Sequence, residues 1–238
     1  MALPHPQLQP ATPQLPISIR PNSETIATAE PETIITIRNR PEPWHPLDYT
    51  VAHQSGATLF TVQGHPWGLA QRRVFRDASG LPLFELRNKW FDSSVLDLKL
   101  PGAGTASEPL LSAKCRVAIQ KPRAVLWFWN ACVPRTRDAT ARPAQRQNHK
   151  FQRLLSRSRR KALTGVESET VMEIVALDVD NLAQVAVVQD QRVAFIDRIT
   201  DPAILAQGQK PPFRFRPMWR ARVARGVDLA LVSRPSMP

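Results

Sequence analysis

The sequence predicts an all-β domain, either a sandwich or a barrel, and three observations carry that prediction. Short β-prone runs follow one another at strand length with turn signals between them and no intervening amphipathic helices. Val95 to Leu100 alternates Val95, Asp97 and Lys99 against Leu96, Leu98 and Leu100, the period-two pattern of a strand with one face buried. The stretch Arg72–Arg87 reads as a hairpin, with β-prone runs on both sides of Asp77-Ala78-Ser79-Gly80. Asp77 accepts backbone N–H bonds to start the tight turn, and Gly80 takes the positive φ that closes it.

Taken in order, the first twenty-one residues hold six prolines, Pro4, Pro6, Pro10, Pro13, Pro16 and Pro21. Proline donates no N–H, so residues 1–30 read as a disordered, polyproline-like tail. The folded domain then runs over residues 31–233, and 234–238 form a short tail. Thr33 to Arg38 is the first strand, interrupted by Pro41, Pro43 and Pro46. Ala57 to Gln63, the two arms of the Asp77 hairpin, and Val95 to Leu100 follow. Leu110 to Gln120 and Val125 to Ala131 flank the turn signal Lys121-Pro122-Arg123. Glu169 to Leu177, Ala183 to Val188 and Arg192 to Ile199 continue the series, with a turn at Asp190-Gln191. Trp219, Ala221 and Val223 alternate with Arg220 and Arg222 in a last strand.

Two segments break the pattern. Residues 134–165 form a long basic insertion, in which 149–162 patterns as one amphipathic helix with Phe151, Leu154 and Leu155 on its apolar face. Gly226, Val227, Asp228, Leu229, Ala230, Leu231 and Val232 are apolar on every side except Asp228. Read as a helix, this segment belongs inside a core. Pro235 stops it after about two turns.

The formal charge of +12 is confined to these regions. Arg135 to Lys161 holds ten Lys or Arg against one acid, and Lys210 to Arg225 holds six against none. Basic segments of this kind point to an anionic partner and carry no information about fold. No apolar run approaches the ~18 residues that span a bilayer, so no transmembrane segment is expected. Cys115 and Cys132, the only two cysteines, read as reduced thiols, which places the chain in a reducing, cytoplasmic setting.

No catalytic constellation emerges, and a non-enzymatic role without cofactor is expected. His5, His45, His53, His65 and His149 never pair with a His or Cys at metal-ligand spacing. Asp178-Val179-Asp180-Asn181 lacks the glycine and distal glutamate of a calcium loop. Trp127, Phe128 and Trp129 share one strand, with Phe128 facing opposite to the tryptophans. Wall packing explains that arrangement more simply than a base-stacking platform.

The hairpin residues Arg72-Arg73-Val74-Phe75-Arg76-Asp77-Ala78-Ser79-Gly80-Leu81-Pro82-Leu83-Phe84-Glu85-Leu86-Arg87, preceded by Phe60-Thr61-Val62, resemble the LURP-one-related (LOR) family. The closing Arg222-Val223-Ala224-Arg225-Gly226-Val227-Asp228-Leu229-Ala230-Leu231-Val232 resembles the end of its fungal members. That family sits in the tubby C-terminal-like superfamily. The resemblance implies a mainly β fold, a closed antiparallel barrel of about a dozen strands around a central C-terminal apolar helix built here from Gly226, Val227, Asp228, Leu229 and Leu231. The helix is shorter than the family's usual one, and empty apolar volume in the barrel costs ~24 cal/mol per Å³.

Barrels of this superfamily include phosphoinositide binders, which is compatible with a scaffold or adaptor meeting an anionic membrane surface. In that reading Arg153, Arg157, Arg159, Arg160 and Lys161 contact lipid phosphates while Phe151, Leu154 and Leu155 enter the headgroup region. The alternative is nonspecific nucleic-acid binding by the same cations. Arg157 to Lys161 also reads as a nuclear import signal. The expected location is therefore cytoplasmic, peripheral to a membrane, or nuclear. A small-molecule-binding barrel is a third reading, because a short plug leaves space inside. No oligomeric state follows from the sequence.

Overall fold

The structure is a computed structural model that describes residues 7–8, 16–20, 26–27, 32–39, 48–65, 72–89, 92–104, 107–116, 123–133, 170–177, 183–201 and 218–233. Twelve antiparallel strands close into one barrel. They are β1 (Glu32–Asn39), β2 (Tyr49–His53), β3 (Thr58–His65), β4 (Arg72–Arg76), β5 (Pro82–Lys89), β6 (Asp92–Lys99), β7 (Leu111–Arg116), β8 (Arg123–Phe128), β9 (Thr170–Ala176), β10 (Ala183–Val188), β11 (Gln191–Ile199) and β12 (Met218–Ala224). Each strand pairs with its sequence neighbours, and β1 closes on β12 with Ile35 opposite Ala221 and Ile37 opposite Trp219. Closure leaves no strand edge to template aggregation.

Alternation decides which face goes inside. In β1, Ile35 and Ile37 are fully buried while Ile34 and Thr36 are only partly covered. The same period places Phe60 and Val62, Phe84 and Leu86, Leu96 and Leu98, and Leu126 and Phe128 on the inner wall. All twelve strands contribute to a single core cluster, and Val227, Leu229, Leu231 and Val232 belong to it too. The apolar C-terminal segment therefore lies inside the barrel. A closed sheet of about eight strands is filled by its own side chains, so a wider one needs such a filler.

The expected strands appear with boundaries moved by a few residues. One was not foreseen. Tyr49 and Val51 of β2 are buried and face the core, and Gln54-Ser55-Gly56 turns the chain into β3, with Gly56 at φ 86°. Pro41, Pro43 and Pro46 stand just before this five-residue alternation and mask it as a strand signal. The β10–β11 turn sits one residue earlier than expected, with Gln189 and Asp190 both at positive φ (49° and 64°) and Val188 facing Gln191. Two consecutive left-handed residues make the tight turn whose twist suits a hairpin.

The helix is shorter than expected, spanning only Leu229–Val232 and here called α1. Gly226, Val227 and Asp228 precede it in extended or turn conformation. Gly226, at φ 85°, turns the chain inward from the end of β12. Val227 and Asp228 then form β-bridges, which a helix would forbid.

Those bridges correct the expectation of a disordered tail over residues 1–30. Ile17, Ser18, Ile19 and Ala27 are buried, at 8%, 0%, 4% and 2% exposure. Ile17 bridges Val227 in parallel and Ile26 bridges Asp228 antiparallel. Proline lacks the N–H that a ladder needs, but the donors used here belong to Ile17 and Ala27, which are not prolines.

Candidate functional site

The plug end of the barrel is where the most distant parts of the chain converge. The Ile17 N–H donates to the Gly226 carbonyl at 2.7 Å, and the Asp228 N–H donates to the Ile17 carbonyl at 2.8 Å. On the other side, the Ala27 N–H donates to the Val227 carbonyl at 2.9 Å, and the Gly226 N–H donates to the Ala27 carbonyl at 2.8 Å. The stub entering the barrel is thus held between two pieces of the N-terminal segment. Asp228, fully buried, joins the two ends of the chain: Oδ2 accepts from the Ser18 hydroxyl at 2.6 Å, and Oδ1 caps α1 by accepting from the Ala230 N–H at 3.0 Å. Asn130, just after β8, completes the clamp by accepting from the Ser18 N–H at 3.1 Å and donating to the Pro16 carbonyl at 2.9 Å. Arg20 lies over the Phe84 ring, 4.8 Å from its centroid.

Cys132 stands beside this clamp. Burial, followed by the Asp228 charge, pushes its thiol up, so it is a protonated thiol and not an activated nucleophile. Both cysteines are free.

A second constellation lies on the outer face of β4 and β5. Glu85 is 2% exposed and carries an ion pair to Arg72, another to Arg87 at 2.6 Å, and the Gly102 N–H at 3.3 Å. Burial pushes this carboxyl up, but the Arg87 hydrogen bond, the Gly102 N–H and Arg72 outweigh it and hold it below the usual glutamate range. A carboxyl depressed on folding contributes stability that is fully present above its unfolded value, about 4.3, and is lost as pH falls through the folded one. The barrel is accordingly expected to lose stability below about pH 4.3, less steeply in Glu85→Gln. Urea melts of both proteins between neutral and acidic pH check this, and Glu85→Gln should already be weaker at neutral pH because two guanidinium groups lose a buried partner.

The Asp77 turn is built from one carboxylate. Asp77 Oδ1 accepts from the Ser79 N–H at 2.9 Å, the Ser79 hydroxyl at 2.7 Å and the Leu81 N–H at 2.9 Å, and Gly80 sits at φ 89°. The Ser79 hydroxyl is the main reason that the Asp77 carboxyl titrates below its ordinary range. Asp77 and Ser79 thus serve each other within the hairpin.

Three further arginines of the wall are paired across strands. Arg220 meets Asp197 at 2.6 Å, Arg222 meets Glu32 at 3.2 Å, and Arg123 meets Glu173. Of the basic stretch from Lys210 to Arg225, Arg220 and Arg222 are thereby spent on the barrel wall and not offered to a partner. The basic insertion, with Phe151, Arg153, Leu154, Leu155, Arg157, Arg159, Arg160 and Lys161, lies outside the described residues, as does the Asp178–Asn181 loop. Among the described residues, no group of three His, Cys, Asp or Glu side chains is placed to hold a metal ion, and no helix is long and apolar enough to cross a membrane.

A family model for LURP-one-related proteins matches residues 33–139, from the start of β1 to beyond β8. Protein LURP-one-related 9 of Arabidopsis thaliana is 39% identical over 57 residues, 24% of this chain and 29% of that relative. Over residues 33–139 the chain matches the LURP-one-related family. Its closed barrel around an apolar C-terminal stub is consistent with the tubby C-terminal-like superfamily. The matched stretch spans under a third of the LURP-one-related 9 chain, so that protein's own role stays with it. An X-ray structure of another Arabidopsis thaliana protein aligns over 92% of this chain and 93% of its own, at 15% identity and a TM-score of 0.47. The sequence pattern alone did not reveal Ser18 and Asn130 as partners at the Asp228 clamp. The available signal was the polar Asp228 inside an otherwise apolar run, since a buried carboxylate requires donors.

Proposed function

We propose that this barrel is a non-catalytic scaffold or adaptor that meets an anionic membrane surface through its basic insertion at 134–165. The observation that carries this reading is the charge distribution. The barrel's outer arginines Arg72, Arg87, Arg123, Arg220 and Arg222 are matched by Glu85, Glu173, Asp197 and Glu32. Arg135 to Lys161 carries ten cations and one acid. Each basic side chain near an anionic bilayer contributes about 1 kcal/mol, and Phe151, Leu154 and Leu155 add apolar insertion.

The test is flotation of the protein with vesicles of phosphatidylcholine alone or with phosphatidylserine or a phosphoinositide. Binding is expected only with anionic lipid, weakened by salt, and lost in Phe151→Ser with Leu154→Ser. Retention on DNA or RNA that survives those two substitutions, without vesicle binding, would replace this reading with the nucleic-acid one.

A further inference from the structure

The strand directions assign each connection to one end of the barrel. Glu32 faces Ala224, so β1 begins where β12 finishes, at the end that the stub enters. With twelve antiparallel strands in sequence order, the links β2–β3, β4–β5, β6–β7, β8–β9 and β10–β11 all lie at this plugged end. Residues 134–169 therefore leave the barrel there after β8 and rejoin it there at β9.

Exposed apolar side chains gather at the same end. Among the described residues, the large hydrophobic side chains open to solvent are Leu81, Leu100, Val133, Val171 and Leu177, from 60% at Leu81 to 39% at Val171. The first four sit on three successive links of the plugged end. Leu81 closes the β4–β5 hairpin, Leu100 starts the β6–β7 link, and Val133 and Val171 flank the insertion, beyond β8 and at the start of β9. Leu177, after β9, lies at the opposite end. The two other links of the plugged end are polar or small, Gln54-Ser55-Gly56-Ala57 and Gln189-Asp190. The acids described on the apolar side are Asp77 and Glu108, and Asp77 Oδ1 is turned into its own hairpin by the Ser79 and Leu81 N–H groups.

A single exposed leucine needs no explanation, but four apolar side chains on neighbouring links of one end form a patch with a direction. The ten cations of Arg135–Lys161 are tethered between Val133 and Val171. Charge and apolar surface are thus presented from the same end, a combination that suits anionic headgroups lying over hydrocarbon. A second copy of this chain would bring the same excess of cations against its own. We propose that the plugged end is the membrane-facing end of the barrel, where Leu81, Leu100, Val133 and Val171 enter the headgroup layer of an anionic bilayer. The insertion's cations pair with the lipid phosphates beside them, and the polar β2–β3 and β10–β11 turns stay in water. This inference rests on the membrane reading and adds to it a docking surface on the barrel itself.

The experiment is a partition titration of the full chain onto phosphatidylcholine vesicles with and without phosphatidylserine. Leu81→Ser combined with Leu100→Ser is compared with Leu177→Ser, the same change at the opposite end. These side chains are exposed, so each variant should melt within about 2 °C of the parent. The double variant is expected to bind anionic vesicles at least about tenfold more weakly, and Leu177→Ser to bind as the parent does. Val133→Ser, on a separate link, should weaken binding several-fold by itself. Undiminished binding by the double variant and Val133→Ser, or an equal loss in Leu177→Ser, would overturn this surface and leave the insertion's membrane reading standing. A parent that binds no vesicle would end both. Sedimentation velocity reads the other occupant: a parent dimer that the double variant turns into monomer, with vesicle binding unchanged, would make the patch a contact between copies and overturn the proposal.

Discussion

A chain ending at Arg225 is expected to lose cooperative unfolding altogether. The truncation removes Val227, Leu229, Leu231 and Val232, all at 5% exposure or less and all within the single core cluster. At about 1.5–3 kcal/mol per buried aliphatic side chain, these four contribute roughly 6–12 kcal/mol. A whole domain is stable by only about 5–15 kcal/mol. Twelve strands without their filler would enclose a void lined by Phe60, Phe84, Phe128 and Met172, and the sheet would collapse or aggregate. Near-UV circular dichroism, dye binding and a calorimetric scan of the truncated protein check this. Leu231→Ala is the graded version, expected to cost ~2–5 kcal/mol while leaving the fold intact.

The second large effect concerns the other end of the chain. Deleting residues 1–30 removes the burial of Ile17 and Ile19, worth about 1.5–3 kcal/mol each. It also deprives the buried Asp228 carboxylate of the Ser18 hydroxyl, at about 1–3 kcal/mol. The total loss is on the order of 4–9 kcal/mol, which for a protein of this size lowers the Tm by roughly 10–30 °C. Ser18→Ala alone should reproduce the hydrogen-bond part of that loss. A proline-rich tail with no structural role would give no change in either case, so a urea melt of the shortened protein separates the two descriptions.

These two segments show why some of the fold was legible in the residues and some was not. The inner wall was readable because a strand with one face in the core alternates, as Leu96 and Leu98 do against Asp97, although the pattern fails at its ends, where Val95 and Lys99 are buried and Leu100 is exposed. Asp77 and Gly80 were readable because a tight turn restricts residue type locally. Residues 16–20 and 26–27 were not, because Ile17 and Ala27 are held by backbone bonds to Gly226, Val227 and Asp228 some two hundred positions away. Proline counting measures local ladder capacity, and only two donors were needed.

The extent of α1 was misjudged for a related reason. Apolarity on all sides marks burial, but it does not distinguish a helix from an extended stub that another segment bridges. Arg73 directly follows Arg72, and nothing in the two adjacent arginines says which of them faces inward. Its burial depends on register, which places it opposite Gly64 and beside Leu86 instead of outside with Arg72.

The central claim is that the apolar stub lies inside a closed barrel and is clamped there by the chain's own beginning. Amide hydrogen exchange on the intact protein tests it most directly. The N–H groups of Ile17, Ala27, Asp228, Leu231 and Ser233, all bonded at the plugged end, should exchange as slowly as those of β1 and β12. Complete exchange of these five within seconds, while the strands stay protected, would contradict it.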